Sequence, residues 1–286
     1  MQQLTLDEFS INKREKLLDY KTYAENYFEQ LGAIEVVSRQ LKMPSSDLAD
    51  IPLDAFIDAT RGLAWESIDL LANMYSAGHS LESMREFFPT VVQCWETYVH
   101  YHKKFHQSAE GSNSEVATIA LQGHGFDQAN RLVSFAVLLG WTDFIDRLIS
   151  LVDYNNPVRD GMIERLIAPF VKYRGVAPDE CTRHLPYFKV LAIFNASPHQ
   201  RSSAMSKYLA DWYHASRREP YYDSHKRGVA FLGYWSWEAA AITVLLDIDD
   251  TSYRNSQFYP HDLVEFARHL GEQGTSASIT SERTCA

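Results

Sequence analysis

Residues 228–266 read GVAFLGYWSWEAAAITVLLDIDDTSYRNSQFYPHDLVEF, and no other stretch limits the fold as tightly. Trp235, Ala239, Ile242 and Leu246 recur at helical intervals, which puts them on one face. Trp237, Ala241, Val244 and Leu245 widen that face until the helix is apolar nearly all round. A helix of that kind is central and buried. Ala239, Ala240 and Ala241 let a neighbouring helix approach closely. The acidic turn at 247–250 ends the element. A loop with Tyr253, Phe258 and Tyr259 then leads to Pro260, placed to open a last helix. No run in the chain sustains the period-2 alternation of strands. The expected architecture is all-α: a two-domain helical protein of packed antiparallel helix hairpins.

The remaining segments fit that class. Residues 11–41 read as one long helix, with Leu17, Tyr20, Ala24, Tyr27, Leu31 and Ile34 at 3–4 spacing. Met43-Pro44 breaks it. Asp50-Ile51-Pro52 starts a helix that carries Leu63, Ile68, Leu71 and Tyr75 and stops at Gly78. Ser80 is an N-cap for the next helix, in which Pro89 is expected to kink or restart the chain before Val92, Trp95, Val99 and His102. The polar run QSAEGSNS at 107–114 marks a boundary between an N-terminal domain, 1–112, and a C-terminal domain, 113–270. In the second half a helix is expected over 116–139, interrupted at Gly123-His124-Gly125 and stopped by Gly140. Thr142 is a cap for a helix through Leu151, and Asn156-Pro157 a further start. Ser197-Pro198 opens a helix with Met205, Leu209, Trp212 and Tyr213. Residues 271–286 are small and polar and read as a disordered tail.

The net charge of −10 is uneven. Residues 1–125 hold 18 Asp and Glu against 10 Lys and Arg, a net −8; the remainder holds 19 against 17, a net −2. An acidic surface disfavours nucleic acid and favours a basic partner, although solubility alone also selects for acidic proteins. The N-terminus lacks the basic and apolar regions of a secretory signal, and no run approaches 18 apolar residues, so no membrane partner is expected. Three distant cysteines, Cys94, Cys181 and Cys285, suit reduced thiols in the cytoplasm.

Several polar groupings are candidate sites. Asp47, Asp50, Asp54 and Asp58 fall within an arc of about 80° on an ideal helix, as a docking stripe or as a capping cluster with a solvated face. Glu238 borders the apolar face and needs a partner, which His225, Lys226 or Arg227 would supply as an ion pair. Alternatively Asp223, Glu238, Asp249, Asp250 and Asp262 line a groove for a basic protein. His100, His102 and His106, with Glu96, have i,i+4 spacing on one helix, and His261-Asp262 is an HD dipeptide. A metal needs further ligands from elsewhere, so an amphipathic surface helix is the competing reading. No nucleophile elbow, phosphate loop or dinucleotide fingerprint is present, and neither a catalytic residue nor a cofactor is expected.

Five stretches carry a resemblance. GYWSWEAAAI, LLDIDD and FYPHDLVEF, together with the upstream YLADWYHASRREPYYDSHK, are similar to the C-terminal domain of the PoNe-immunity (PoNi-like) family. LLANMYSAGHSLESMREFFP resembles that family's N-terminal domain. The resemblance implies a non-enzymatic helical antitoxin. Its partner would be a cognate antibacterial DNase, delivered by a type VI or related secretion system and blocked at its DNA-binding or active-site surface. The residues by themselves leave open a metal-dependent hydrolase of helical fold and a helical adaptor.

Overall fold

The computed structural model of the chain describes residues 1–48, 50–108, 116–123, 125–227 and 231–283. These residues form 12 α-helices and no strand. In order they are α1 (Leu6–Asn12), α2 (Tyr20–Gln40), α3 (Ser45–Leu48), α4 (Leu53–Ala77), α5 (Leu81–His106), α6 (Gly125–Leu138), α7 (Ile145–Asp153), α8 (Gly161–Ile167), α9 (Leu191–Asn195), α10 (Pro198–Ala215), α11 (Trp237–Leu245) and α12 (His261–Arg283). Single 3₁₀ turns lie at Thr142–Phe144, Lys172–Arg174, Tyr187–Val190 and Ser224–Lys226. The expected boundary between 112 and 113 lies outside the described residues, as does His124. By its contacts the chain forms two compact units that alternate along the sequence. Unit 1 takes Met1–Leu132, Arg147–Val158 and Glu219–Tyr234; unit 2 takes Val133–Asp146, Arg159–Arg218 and Trp235–Ala286.

Unit 1 is built on α4, which packs against both α2 and α5. Every residue of α4 from Leu70 through Ala77 is buried. Each fully buried Leu, Ile or Met contributes roughly 1.5–3 kcal/mol. Polar residues in this run tie it to its neighbours: Asn73 Nδ2 donates to the Tyr23 carbonyl and to Gln30 Oε1, both at 3.3 Å, and Ser76 Oγ donates to the Leu232 carbonyl. Gly78 ends α4 with φ +94°, and a Cβ there would lie 2.2 Å from the Asn12 carbonyl oxygen. Glycine is required both by the left-handed turn and by that approach. Ser80 caps α5 by accepting from Ser83 N at 3.2 Å. Pro89 lies inside α5 without ending it. It cannot donate to the Arg85 carbonyl, and burial of Phe88, Val91 and Val92 around it outweighs that loss.

The helix expected over 11–41 is two helices. The amides of Arg14 and Glu15 both donate to the Ser76 carbonyl, at 2.9 and 3.1 Å, instead of continuing α1. Glu15 is buried, and its carboxylate accepts the amides of Leu17 and Tyr234, each at 3.0 Å. Asp19 then caps α2 through Thr22 N at 2.9 Å.

In unit 2, α11 packs against α8 and α12, and α10 against α9. Ala239, Ala240, Ala241 and Ile242 are fully buried, as their small size and spacing predict. The helix starts at Trp237 rather than before Trp235, because Ser236 N is drawn to the Phe258 carbonyl at 2.8 Å. Thr142 opens a 3₁₀ turn rather than capping a helix, and Asn156-Pro157 starts no helix. Instead Asp160 caps α8, accepting from Met162 N and Ile163 N at 2.9 and 3.0 Å. Gly161 sits so close to the backbone of Pro178 and Glu180 that a Cβ would lie 2.5 and 2.6 Å from their carbonyl oxygens. Ser197-Pro198 opens α10 as expected, and α12 follows Pro260 directly and continues to Arg283 through much of the segment read as a tail. No helix among the described residues is long and apolar enough to cross a membrane.

Candidate functional site

The acidic candidates divide by exposure. In unit 1, Asp47 lies in α3, Asp50 in the following turn and Asp54 and Asp58 at the start of α4, and all four side chains are exposed. Their contacts are local. Asp54 Oδ1 accepts from Ala55 N at 2.7 Å, and Asp58 pairs with Arg61 one turn on, at 2.9 Å. Such pairs contribute a few tenths of a kcal/mol, about 0.3–0.5, so the carboxylates stay available to a partner. Asp223, also in unit 1, is half-buried at φ +56°, with Lys226 Nζ 3.2 Å from its carboxylate.

Unit 2 holds the other four, in three environments. Glu238 is 1% exposed. One of its oxygens, Oε1, accepts from Tyr208 Oη at 2.7 Å, Trp212 Nε1 at 2.8 Å and Ser236 Oγ at 2.6 Å. The expected ion pair with His225, Lys226 or Arg227 is therefore replaced by a neutral donor cage, and Glu238 lines no open groove. The physical reason is reach: α10 brings Tyr208 and Trp212 to α11, and two aromatic donors satisfy a carboxylate without a second buried charge.

Asp250 is likewise 1% exposed and is an interior hub rather than a groove residue. Arg254 Nη2 lies 3.0 Å and Arg268 Nη1 3.3 Å from its Oδ1, and Tyr259 Oη donates to Oδ2 at 3.2 Å. Burial pushes its carboxyl up, but Arg254, Arg268 and Tyr259 together outweigh burial and hold it below the usual range. Asp249, its neighbour, is exposed and turned the other way, accepting from the backbone and hydroxyl of Thr251. Asp262 is half-buried in the first turn of α12, where Oδ1 accepts from Leu263 N at 3.0 Å.

The histidine candidates form no metal centre of three ligands. His102 is 7% exposed, with Thr118 Oγ1 3.0 Å from Nδ1 and the His106 ring 4.4 Å away. Burial first, and His106 second, push the His102 imidazole down to about 4, so it is neutral. His261 Nε2 lies 3.3 Å from Glu265 and 3.9 Å from Asp250. Among the described residues no three His, Cys, Asp or Glu side chains are gathered to hold a metal ion.

Two further carboxylates of unit 2, Asp160 and Glu164, are buried and carry no signal as a site in the sequence. Asp160 also accepts the Thr182 backbone and hydroxyl, at 2.6 and 3.0 Å, and Glu164 is clasped by Arg159 and Arg174. Asp160 was legible as a cap before Gly161. The arginines of Glu164 lie five residues before and ten after it, a spacing with no local signature.

No curated protein sequence matches the chain. The fold is similar to the crystal structure of protein PA2201 from Pseudomonas aeruginosa, with a TM-score of 0.74, 20% identity and coverage of 94% of this chain and 100% of that one. Residues 158–263, which hold the cages of Asp160, Glu164 and Glu238 and most of the Asp250 hub, match the family model of PoNe immunity proteins (PoNi), C-terminal.

Proposed function

We propose that the protein is an immunity protein, a non-enzymatic cytoplasmic antitoxin that binds and neutralises a cognate antibacterial DNase. The observation that carries this reading is the match of residues 158–263 to the PoNi C-terminal family model. A nuclease that holds DNA presents a basic working face. The exposed carboxylates Asp47, Asp50, Asp54, Asp58 and Asp249 would meet such a face, with Asp223 and Asp262 as partly buried contributors. Their charge speeds encounter and selects against other partners. The buried Glu238 and Asp250 act differently: they fix α10, α11 and α12 and so keep the binding surface preformed, which lowers the ordering cost of association. Occlusion of the toxin's DNA-binding or active-site surface is the mechanism, and delivery by a type VI or related secretion system is the context.

The test is rescue. The product of the gene beside this one is expressed in a bacterial host with and without this chain, while chromosomal DNA is followed. Degradation of DNA that co-expression prevents, with a complex that co-purifies, supports the reading. A harmless neighbour, or toxicity without rescue, contradicts it.

A further inference from the structure

Within unit 1, a cavity of about 510 Å³ lies beside the turn between α4 and α5. Leu4, Glu8, Asn12, Arg14, His79 and Ser83 are among its walls. The size falls in the range of small-molecule sites, about 300–1,000 Å³. The close approach of Gly78 to Asn12 fixes one wall against another.

The hydrogen-bond network determines what His79 offers to this cavity. His79 is 5% exposed, and its Nε2 lies 2.8 Å from Tyr23 Oη. The same phenol oxygen accepts the Leu4 amide at 2.8 Å. Tyr23 is fully buried, so its single O–H proton has to go to His79 Nε2. Nε2 is then the acceptor, and neutral His79 carries its proton on Nδ1. No hydrogen bond engages Nδ1, although the ring stacks on Tyr27 and lines the cavity. Burial, with Arg14 second, pushes the imidazole down to about 4, which keeps it neutral.

Arg14 and Glu8 bring charges of opposite sign to the walls, beside Met1, whose α-ammonium adds a second positive charge near His79. Arg14 Nη1 donates to the carbonyls of Tyr75 and His79, both at 2.9 Å, and its guanidinium lies 4.6 Å from the Tyr75 ring centroid. It is a fixed cation. Glu8 uses only Oε2 to cap α1, accepting the Thr5 amide and hydroxyl, and leaves Oε1 without a partner. Those Thr5 bonds hold the Glu8 carboxyl below its usual range, so it is ionised.

A simple anion in this cavity meets repulsion from Glu8, and a simple cation meets repulsion from Arg14. A ligand with both charges satisfies each wall and also accepts from the unpartnered His79 donor. We propose that this cavity binds a small zwitterion of the α-amino-acid class, its carboxylate toward His79 Nδ1–H and Arg14 and its ammonium toward Glu8.

The full chain tests this by titration with the twenty L-amino acids, and with acetate and methylammonium as half-ligands. Nitrogen NMR of the His79 ring is recorded alongside. At least one amino acid is expected to saturate the protein, at least tenfold more tightly than either half-ligand, and to shift the Nδ1 signal. Glu8→Gln keeps a capping acceptor for Thr5 and is expected to erase that tenfold preference while the thermal midpoint holds. Ser83→Ala serves as a second wall variant if Glu8→Gln loosens the cap, and a weakened amino-acid titration is expected from it. No saturable binding by any amino acid, equal binding of acetate, an unmoved Nδ1 signal on binding, or an unchanged preference in Glu8→Gln would each overturn the proposal.

Discussion

Asp54 and Asp58 in unit 1, and Glu238 and Asp250 in unit 2, are the same chemical group put to opposite uses. The first pair stands in solvent at the start of a helix, with only local contacts. The second pair is 1% exposed and surrounded by donors: three neutral ones on Glu238, and two arginines and a tyrosine on Asp250. A carboxylate in water is cheap to keep and available to a partner. One in the interior is held only by a complete set of donors, and removing it strands them. Burial, rather than residue type, decides whether a carboxylate of this chain is left in solvent or holds helices together.

The comparison breaks most sharply at Glu238. Glu238→Ala removes the acceptor that Tyr208, Trp212 and Ser236 share and opens a cavity, and is expected to cost about 3–5 kcal/mol in denaturant unfolding. A loss below about 1 kcal/mol would mean that the cage contributes no more than a surface pair. Asp250→Asn is expected to cost less, about 1–3 kcal/mol, because Arg254 and Arg268 are 39% and 32% exposed and reach water when the charge goes.

Acid sharpens the contrast between the units. His79 and His102 in unit 1 are both held near 4, below the ordinary histidine value of 6.5. The unfolded chain binds protons that the native imidazoles refuse. Stability from these groups is therefore complete above 6.5 and falls as the pH drops from 6.5 toward 4, by roughly 2–3 kcal/mol per histidine. Asp250 and Glu164 in unit 2 are lowered carboxyls. Their contribution is complete above the ordinary carboxylate range and is lost only as the pH falls below it. Amide exchange followed against pH is expected to show protection lost in α2 and α5 before α10 and α11. Loss in the reverse order would contradict the assignment.

Much of this was legible locally. Gly78, Ser80 and Ser197-Pro198 set the ends of α4, α5 and α10 because each stop or cap signal acts within a turn of the residue that carries it. The division between α1 and α2 was not, because it depends on the Ser76 carbonyl, more than 60 residues away, taking the Arg14 and Glu15 amides. The sequence does not mark α4 as the central helix of unit 1, since Asn73 and Ser76 interrupt its apolar run and their partners come from α2 and from residue 232. The same distance hid the cage of Glu238, whose two aromatic donors lie 26 and 30 residues upstream. Two stretches that separately resemble the PoNi pattern, one with Tyr208 and Trp212 and one with Glu238, meet at that single oxygen.

The smallest effect on stability is expected where the effect on binding is largest. Asp54→Lys with Asp58→Lys should leave unfolding within about 0.5 kcal/mol of the parent, since neither side chain is buried. The decisive measurement is the affinity of that double variant for the cognate nuclease, titrated beside the parent at two salt concentrations. The expected result is a loss of tenfold or more, with a shallower dependence on salt and an unchanged thermal midpoint. An affinity equal to the parent's at both salt concentrations would contradict the claim that the exposed carboxylates of unit 1 meet the toxin.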